Sequence, residues 1–367
     1  MCKAAVSQRM SLKYFLIVFL IVSIRLTAQD TLRYNFISGR NLTIKGRSSV
    51  VDPELYNRLP NDKLSLLPEA VQLLSRNSAG IQILFQTNAQ TIRVQWLIQE
   101  YKPWWNMTPV AACGLDLYGW SNEWQFIASA KPVSEENDYI IVRNLDGKMR
   151  HYMIYLPLYS EIKDIKIGVD DKAIIMPANN EYLPSKKVVI YGSSITQGAS
   201  ASRPGMTYSS IMGRCLNIET FNLGFSGSGK MEIEMAAVIA EMPADLFILD
   251  CVPNTSPEEI KQRTIPFVRL LRETNPDVPI LMVESIIREV GYWDAEIGNR
   301  VKEQNREFKE AYEALKNSDM KLLFYLEADN LIGKDHEATI DGTHPSDLGH
   351  KRMASLMCEE IEKILTH

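Results

Sequence analysis

The spacing of hydrophobic positions along the chain changes near residue 184. Up to about Pro184, short runs of β-branched and aromatic residues are separated by turn-forming pairs such as Asn77-Ser78 and Asp146-Gly147. Regularly spaced strands of this kind are typical of an antiparallel β-sandwich or jelly roll. The predicted strands are 81–86, 91–99, 114–120, 124–130, 139–144 and 150–157, with one short helix around 68–76.

After Leu183 the pattern becomes an alternation of short apolar runs and longer amphipathic segments. Such alternation predicts a parallel sheet that helices cover on both faces. The predicted strands are 188–191, 218–222, 246–251, 280–284 and 322–326, and the predicted helices are 207–216, 230–241, 257–274, 296–316 and 345–365. A chain of 367 residues is also long for one core, so we predict an all-β domain, residues 29–184, and an α/β domain, residues 185–367.

The first 28 residues have the pattern of a signal peptide. Basic residues precede an apolar run, residues 14–24, and small residues follow it up to Ala28. The run is short for a membrane span and suits a signal-peptide core. Arg25 and Leu26 depart from a good cleavage site, so an uncleaved anchor is the alternative. We predict an exported protein, periplasmic or extracellular, with no membrane span after processing.

Composition and charge limit the classes of partner. With 46% hydrophobic and 23% charged residues, the chain is of globular type. Removing residues 1–28 takes four basic and no acidic residues from totals of 40 and 45, which leaves 36 against 45, or −9. This balance argues against nucleic acid as a partner. The remaining cysteines have no CxxC spacing, so the sequence implies no metal or cofactor and leaves their disulfide state open. They are Cys113, Cys215, Cys251 and Cys358.

Reactive residues follow several predicted strands of the α/β domain. Ser194 lies at the turn after the first strand, where a helix N-terminus leaves backbone N–H groups unpaired. The loop 222–227 follows the second strand, Asn254 follows the third, and Asp341 and His344 follow the last. Because ligands bind at the carboxyl ends of parallel strands, we expect these residues to meet. Together they supply the nucleophile, base, acid and oxyanion donors that ester hydrolysis requires.

The choice of base depends on only five histidines. His344 stands in a turn ahead of the last predicted helix, with Pro345 at a favourable first helical position. Asp341 is three residues earlier on the same turn, close enough to hold the imidazole. The other histidines are His151 in the β domain, His336 in a charged loop, His350 within the last helix and His367 at the terminus.

With these residues in place, the second half resembles the SGNH (GDSL-type) hydrolase family. The four blocks of the family correspond, in order, to GSSIT, the glycine of NLGFSG, the asparagine of CVPN, and DGTH. The resemblance covers the chain from about Lys187 to the C-terminus and implies a three-layer αβα, flavodoxin-like fold. It also implies Ser194 as the nucleophile, His344 as the base and Asp341 as its partner. The implied oxyanion donors are Ser194, Gly227 and Asn254.

Two positions depart from the family pattern. Ser193 stands where the family usually has aspartate, and Val252-Pro253 stands where a glycine is normally found near Asn254. Neither departure removes a catalytic atom, although Pro253 can alter the reach of Asn254. The chain also lacks GxSxG, so it does not carry the α/β-hydrolase nucleophile elbow.

The first half contains Cys113-Gly-Leu-Asp-Leu-Tyr118, which is similar to the GxDLY-bearing domain found ahead of a subset of these enzymes. Proteins of this layout are bacterial and exported, and several resemble carbohydrate acetyl esterases. The resemblance therefore implies a serine esterase that removes small acyl groups, O-acetyl above all, from carbohydrate. The predicted substrate walls are Arg203, Tyr208 and Trp293, each of which also suits a surface or packing role. The sequence does not predict the oligomeric state.

Three other functions remain open at this point. Asp250 and Glu284, both near strand ends, would suit a glycosidase. The tryptophan-rich β half, with Trp104-Trp105, would suit a non-catalytic carbohydrate-binding protein, although aromatic residues also fill sandwich cores. A lipase or thioesterase is the alternative within the same family, because acyl chain length depends on a pocket that the sequence does not show.

Overall fold

The computed structural model describes residues 33–48, residue 52 and residues 56–366. The predicted signal peptide lies outside these residues. Within them, no helix combines the length and the apolar character that a membrane crossing needs.

The first half forms two antiparallel sheets, as the sequence predicts. The strands are β1 (Tyr34–Ser38), β2 (Thr43–Lys45), β3 (Gln82–Thr87), β4 (Ile92–Ile98), β5 (Leu115–Ser121), β6 (Glu123–Ala130), β7 (Glu136–Val142), β8 (Arg150–Tyr155), β9 (Ile162–Asp170) and β10 (Ile175–Pro177). One sheet has four strands in the order β1-β9-β4-β7, and the other has six, in the order β10-β3-β8-β5-β6 with β2 paired to β3. Short helices α1 (Asn61–Leu64), α2 (Glu69–Ser75) and α3 (Pro109–Cys113) interrupt them.

The core of this domain lies between the two sheets. Along β4, buried and half-buried residues alternate, as a strand with one covered face requires. Trp96 is 2% exposed, and its indole N–H donates to the carbonyl oxygen of Cys113 at 3.0 Å. Trp104 and Trp105 behave differently, because they are 42% and 82% exposed. The tryptophans of the β half are therefore divided between the core and the surface.

The second half forms a five-stranded parallel sheet. Its strands are β11 (Lys186–Gly192), β12 (Ile218–Gly224), β13 (Leu246–Asp250), β14 (Ile280–Val283) and β15 (Leu323–Leu326), and their order in the sheet is β12-β11-β13-β14-β15. Its helices are α4 (Ser194–Gln197), α5 (Tyr208–Leu216), α6 (Ile233–Ala240), α7 (Pro257–Thr274), α8 (Ala295–Asn317) and α9 (Asp347–Thr366).

Alternate residues of the central strand β11 belong to two different cores. Val189 and Tyr191 pack on the side of α6, α7 and α8, whereas Val188 and Ile190 pack on the side of α5 and α9. Successive side chains of a strand point to opposite faces, so helices on both sides bury the whole strand. The three-layer αβα arrangement predicted from the sequence is thereby confirmed.

The two halves are joined by a buried arginine. Arg58 is 1% exposed, and its guanidinium donates to the carbonyl oxygens of Asn222 and Gly224 in β12 at 2.9 and 2.6 Å. It also donates to the carbonyls of Leu74 and Asn77 at 2.6 and 2.9 Å. Burial lowers the pKa of Arg58 to about 9, so the side chain is still charged at neutral pH. One side chain of the β half thus fixes the strand that precedes the loop 225–228.

A second junction uses the Asp and Tyr of the GxDLY sequence. Asp116 is fully buried, and its Oδ2 accepts from Arg203 Nη1 at 2.9 Å and from the Gly205 backbone N–H at 2.8 Å. Arg203 also donates to the hydroxyl of Tyr118. The β half therefore holds the segment that follows α4 in the α/β half.

Candidate active site

Ser194 lies where strand β11 turns into helix α4. The backbone N–H of Ile195 donates to the side-chain oxygen of Ser193 at 3.2 Å, which caps the short helix. Ser194 is the first helical residue, so its own N–H has no partner within the helix. The Ser194 side chain is 8% exposed, and it therefore lies at the floor of a site rather than on open surface.

Three side chains from two loops form a continuous chain of hydrogen bonds. Ser194 Oγ lies 2.9 Å from His344 Nε2, and His344 Nδ1 lies 2.7 Å from Asp341 Oδ2. An ionised carboxylate only accepts hydrogen bonds, so Nδ1 must carry the proton that it donates to Asp341. In the neutral ring Nε2 then has a free lone pair, which accepts the hydroxyl hydrogen of Ser194. This is the geometry of a nucleophile, its base and the group that orients the base.

Asp341 is ionised throughout the physiological pH range. Burial alone would raise its pKa, but hydrogen bonds from the backbone and ring of His344 and from the backbone of Thr343 act in the opposite direction, as does the amide of Asn106. The net effect lowers the pKa of Asp341 to about 2. The carboxylate is therefore available to stabilise a protonated His344 during a reaction.

The other histidines of the described chain have structural contacts. His350 is fully buried between the Tyr208 backbone N–H and the carbonyl of Ala199, and burial lowers its pKa to about 4. His336 pairs with Glu289 at 2.8 Å, and His151 stacks on Tyr182. None of these three rings lies within hydrogen-bond distance of Ser194.

The turn after β12 lies beside the turn that carries Ser194. Gly224 packs so closely on α4 that an added Cβ would lie 2.0 Å from the backbone nitrogen of Gln197. The Gln197 side chain in turn accepts from the N–H of Ser226 at 3.0 Å. Gly227 has φ +68°, and an added Cβ there would meet nothing within 4 Å. Gly227 therefore faces open space, with its turn fixed to the helix that begins at Ser194.

Asn254 holds this same turn. Its amide Nδ2 donates to the carbonyl oxygen of Phe225 at 3.2 Å and to that of Ser228. The reverse orientation of the amide would place its oxygen against two carbonyl oxygens, so the donor assignment follows from the partners. Both hydrogens of the amide are used, and both partners flank Gly227.

A residue of the β half also enters the site. Asn106 Nδ2 lies 3.0 Å from Asp341 Oδ2 and 3.5 Å from His344 Nδ1. Asn106 belongs to the loop that follows β4, more than 200 positions away from Asp341 along the chain. No sequence signal marks it, because its neighbours Trp104 and Trp105 dominate the pattern of that loop.

Comparison with known proteins identifies the family. The model of the GDSL-like lipase/acylhydrolase family matches residues 185–362, and that of the GxDLY family, the N-terminus of SGNH-hydrolase-type esterases, matches residues 34–175. A crystal structure described as that of a GDSL-like lipase from Bacteroides ovatus is 40% identical, with a TM-score of 0.88. The alignment covers 91% of this chain and 98% of that one. The chain belongs to the GDSL-like lipase/acylhydrolase family.

More distant solved structures share the fold. A salicylyl-acyltransferase from a tetracycline biosynthetic pathway is 18% identical, with a TM-score of 0.71 over 90% of this chain and 97% of that one. A family two carbohydrate esterase from Clostridium thermocellum, in complex with cellohexaose, is 12% identical, with a TM-score of 0.60 over 90% and 99%. No match was found among curated proteins. The two-domain fold is therefore shared by proteins that are described with different activities.

The two departures from the GDSL-like pattern have structural explanations. Ser193 replaces aspartate as the helix cap, and both residue types cap helices well. Val252-Pro253 forms a single 3-10 turn with Asn254, so the proline fixes the backbone ahead of the asparagine. The amide still reaches the turn around Gly227.

The predicted substrate walls fall into different environments. Arg203 is tied to Asp116 and Tyr118, so it joins the two domains. Tyr208 is fully buried and donates to Asp250 Oδ2 at 2.7 Å, so it does not face a substrate. Trp293 is 92% exposed. Of these three residues, Trp293 alone has the exposure that a substrate wall requires.

An exposed segment lies against the turn that carries Asp341 and His344. The N–H of Glu289 donates to the carbonyl of Gly342 at 2.7 Å, which places residues 289–293 beside this turn. Val290, Tyr292 and Trp293 of the segment are 45%, 56% and 92% exposed. They line a depression of about 530 Å³ together with Glu289 and His336.

Among residues 33–48, 52 and 56–366, no group of His, Cys, Asp and Glu side chains is arranged to hold a metal ion.

Proposed function

We propose that the protein is a serine esterase that hydrolyses small acyl esters, with O-acetylated carbohydrate as its substrate class. The observation that carries the proposal is the chain of hydrogen bonds from Ser194 through His344 to Asp341. Membership of the GDSL-like family supports the hydrolase class. The open space beside Gly227 leaves room for an oxyanion.

In the first half of the reaction, Ser194 Oγ attacks the ester carbonyl while His344 Nε2 takes the hydroxyl proton. The resulting imidazolium donates to the ionised Asp341, and the carbonyl oxygen becomes an oxyanion that accepts from the N–H groups of Ser194 and Gly227. His344 then gives its proton to the alcohol oxygen as the carbon–oxygen bond breaks. The products of this half are the free alcohol and an acyl group on Ser194.

In the second half, water replaces the alcohol. His344 Nε2 takes a proton from the water as its oxygen attacks the acyl carbon, and the oxyanion forms in the same place. Collapse of the tetrahedral intermediate returns the proton to Ser194 Oγ and releases the carboxylic acid. Since no step consumes a cofactor, the residues of this chain are sufficient for the proposed reaction.

Asn254 is proposed to act on the oxyanion through the turn that it holds. We expect Asn254→Ala to lower kcat for p-nitrophenyl acetate by about 10²-fold, the size of effect seen when an oxyanion donor is lost. The reason is that the amide no longer holds the carbonyls of Phe225 and Ser228, so the turn around Gly227 keeps only its own hydrogen bond from the Ser228 N–H to the Phe225 carbonyl, at 2.9 Å. The matched control is Ser228→Ala, which keeps the carbonyl and should change kcat only a few-fold. A change below a few-fold in Asn254→Ala would show that the turn around Gly227 keeps its position without the amide.

The contacts of the two acidic candidates argue against a glycosidase. Asp250 is 3% exposed and accepts from the hydroxyls of Thr196 and Tyr208 at 2.9 and 2.7 Å. Burial raises its pKa to about 6. Glu284 accepts from the Tyr325 hydroxyl at 2.7 Å and from the Ala328 N–H at 3.0 Å. A glycosidase needs both carboxyl groups to flank a sugar bond, which a buried Asp250 cannot do.

Two features support carbohydrate as the substrate class. Trp105 and Trp293 are strongly exposed, at 82% and 92%, and each belongs to a segment that contacts the Asp341–His344 turn. Exposed indole rings stack well on the apolar faces of sugars. Several structures with the same two-domain fold are carbohydrate esterases, and one is described as an acetyl xylan esterase from Butyrivibrio proteoclasticus.

A lipase or thioesterase of the same family is the second candidate function. The apolar side chains of Val290 and Tyr292 beside the catalytic turn favour it, because an acyl chain would bury their exposed surface. A series of p-nitrophenyl esters from acetate to decanoate separates the two candidates. A maximum of kcat/KM at acetate supports the acetyl esterase, and a maximum at eight carbons or longer supports the lipase.

Labelling with a fluorophosphonate tests the proposed function directly. We expect one equivalent of probe to attach to Ser194 in the native protein, since His344 activates that hydroxyl alone, and none after heat denaturation. Mass spectrometry of the labelled peptide gives the position. Acetate release from a panel of acetylated glycans then gives the substrate. A native protein that takes up no probe would favour the non-catalytic carbohydrate-binding protein.

A further inference from the structure

Asp341 has a complete set of hydrogen-bond donors, and one of them comes from the other domain. Its Oδ1 accepts from the backbone N–H groups of Thr343 at 3.0 Å and His344 at 2.7 Å. Its Oδ2 accepts from the His344 ring at 2.7 Å and from Asn106 Nδ2 at 3.0 Å. Three of the four donors belong to the turn itself, so Asn106 is the one that the β half supplies.

The orientation of the Asn106 amide follows from its partner. With the oxygen in place of Nδ2, two oxygens would face each other at 3.0 Å, one of them negatively charged. The 3.5 Å approach to His344 Nδ1 is not a second hydrogen bond in the active tautomer, because that nitrogen carries a hydrogen. The amide of Asn106 therefore acts on the carboxylate of Asp341.

The loop that carries Asn106 is fixed on both sides. Trp104 packs edge-on against Tyr159, with ring centroids 5.5 Å apart. Met107 is buried in a small cluster with Leu158. Thr108 donates to the carbonyl of Ser202 in the catalytic half and also caps helix α3. A side chain on such a loop is held in place before any substrate arrives.

We infer that Asn106 is a positioning residue for the catalytic triad, by which the β half sets the orientation and basicity of His344 through Asp341. This inference rests on the proposed esterase function and adds a residue to it. The hydrogen bond from the Asn106 amide partly neutralises the negative charge on Asp341 Oδ2. It therefore limits how strongly Asp341 stabilises the protonated ring of His344. It also fixes the position of the oxygen to which the His344 ring is bonded.

Two substitutions at this position change the surroundings of Asp341 in different ways. Asn106→Ala removes a donor, so we expect kcat to fall about 10-fold with KM within 2-fold, as for loss of a hydrogen bond to a charged group. Asn106→Asp places a second carboxylate beside the first, so the pKa of His344 should rise by about 1 unit or more. The acidic limb of the kcat/KM profile should move to higher pH by the same amount.

The other charged groups around the turn that carries Asp341 and His344 are the same in Asn106→Ala and Asn106→Asp. On the neighbouring segments, Glu289 is paired with His336, and Asp347 accepts from the N–H and hydroxyl of Ser202. His350 is buried, and a pKa of about 4 keeps it neutral above pH 5. A shift in the titration of His344 is therefore attributable to position 106.

The experiment follows His344 by NMR of the full chain labelled with ¹⁵N in its histidine rings. Only five histidines are present, and His344→Gln assigns the relevant signal. The pH titration of His344 is compared in wild type, Asn106→Ala and Asn106→Asp, beside kcat, KM and the pH profile for p-nitrophenyl acetate. The control is Lys102→Ala, an exposed residue of the same loop.

The results separate this inference from the proposed function. A raised His344 pKa in Asn106→Asp, with a fall in kcat in Asn106→Ala and no change in Lys102→Ala, supports the inference. An unchanged His344 titration in both Asn106 variants overturns it, as does an equal effect of Lys102→Ala. Because NMR observes the resting protein, a wild type without esterase activity would refute the proposed function while the titration still decides the role of Asn106.

Discussion

Ser194→Ala is expected to reduce the hydrolysis of p-nitrophenyl acetate by roughly 10⁴-fold to 10⁶-fold, the range found when a serine nucleophile is removed. The side chain supplies the atom that attacks the ester, and its hydroxyl lies 2.9 Å from His344 Nε2, which takes the proton. The loss should fall on kcat, since the alanine variant keeps the backbone N–H that binds the oxyanion. Steady-state kinetics with the purified variant measure the change.

The matched control for this prediction is the adjacent serine. Ser193→Ala removes the cap of helix α4, so it should cost about 1 kcal/mol of stability while changing kcat far less than Ser194→Ala does. Both variants lose one hydroxyl at the same turn, and the difference between them isolates the nucleophile. Near-normal turnover in Ser194→Ala would falsify the assignment of this residue.

Arg58→Ala is expected to destabilise the protein by about 3–5 kcal/mol, because it removes a buried donor from four backbone carbonyl oxygens, of which Leu74 O retains the N–H of Asn77 at 3.1 Å. The four carbonyls belong to two halves of the chain, with Asn222 and Gly224 in β12 and Leu74 and Asn77 in the β half. The guanidinium also lies 4.8 Å from the centre of the Phe225 ring. We therefore expect a melting temperature lower by on the order of 10 °C, measured by calorimetry.

Two further variants test the physical reason for this loss. Arg58→Lys keeps the charge but offers three donors from a single nitrogen, so it should recover only part of the stability. Arg150→Ala removes an arginine that is paired with Asp146 at the surface, and it should leave the melting temperature nearly unchanged. Equal melting temperatures for Arg58→Ala and Arg150→Ala would show that the contacts to β12 do not hold the domains together.

Most of the α/β half could be predicted because its signals are local. The run 188–191 predicted β11, and the segment 257–274 matches helix α7 at both ends. Strand β9 was missed in the β half, although its sequence alternates, because lysines and aspartates occupy the outward positions. The prediction also missed β1, β2 and β10, two of which have only three residues and are stabilised by their neighbours in the sheet.

Some contacts of the site join residues close by in the sequence, and others join residues that are far apart along the chain. Asp341 and His344 are three positions apart, so their contact follows from the turn. Arg203 was predicted as a substrate wall because its loop follows the nucleophile, but its partner Asp116 is 87 positions away. Asn106 could not be predicted either, because its partner Asp341 is 235 positions away along the chain. Sequence spacing reveals which residues are reactive, and tertiary packing decides which residues support them.

The pairing of Asp116 with Arg203 has a consequence for chimeric proteins. Asp116 lies in the stretch of sequence by which the β half is recognised, yet its carboxylate is fully buried against a loop of the catalytic half. A relative's catalytic half transplanted behind this β half would thus need an arginine at the position of Arg203. Without it, Asp116 would be a buried carboxylate with no cation. Exchange of these halves between relatives is therefore constrained by one charge on each side of the junction, and the two positions must be transferred together.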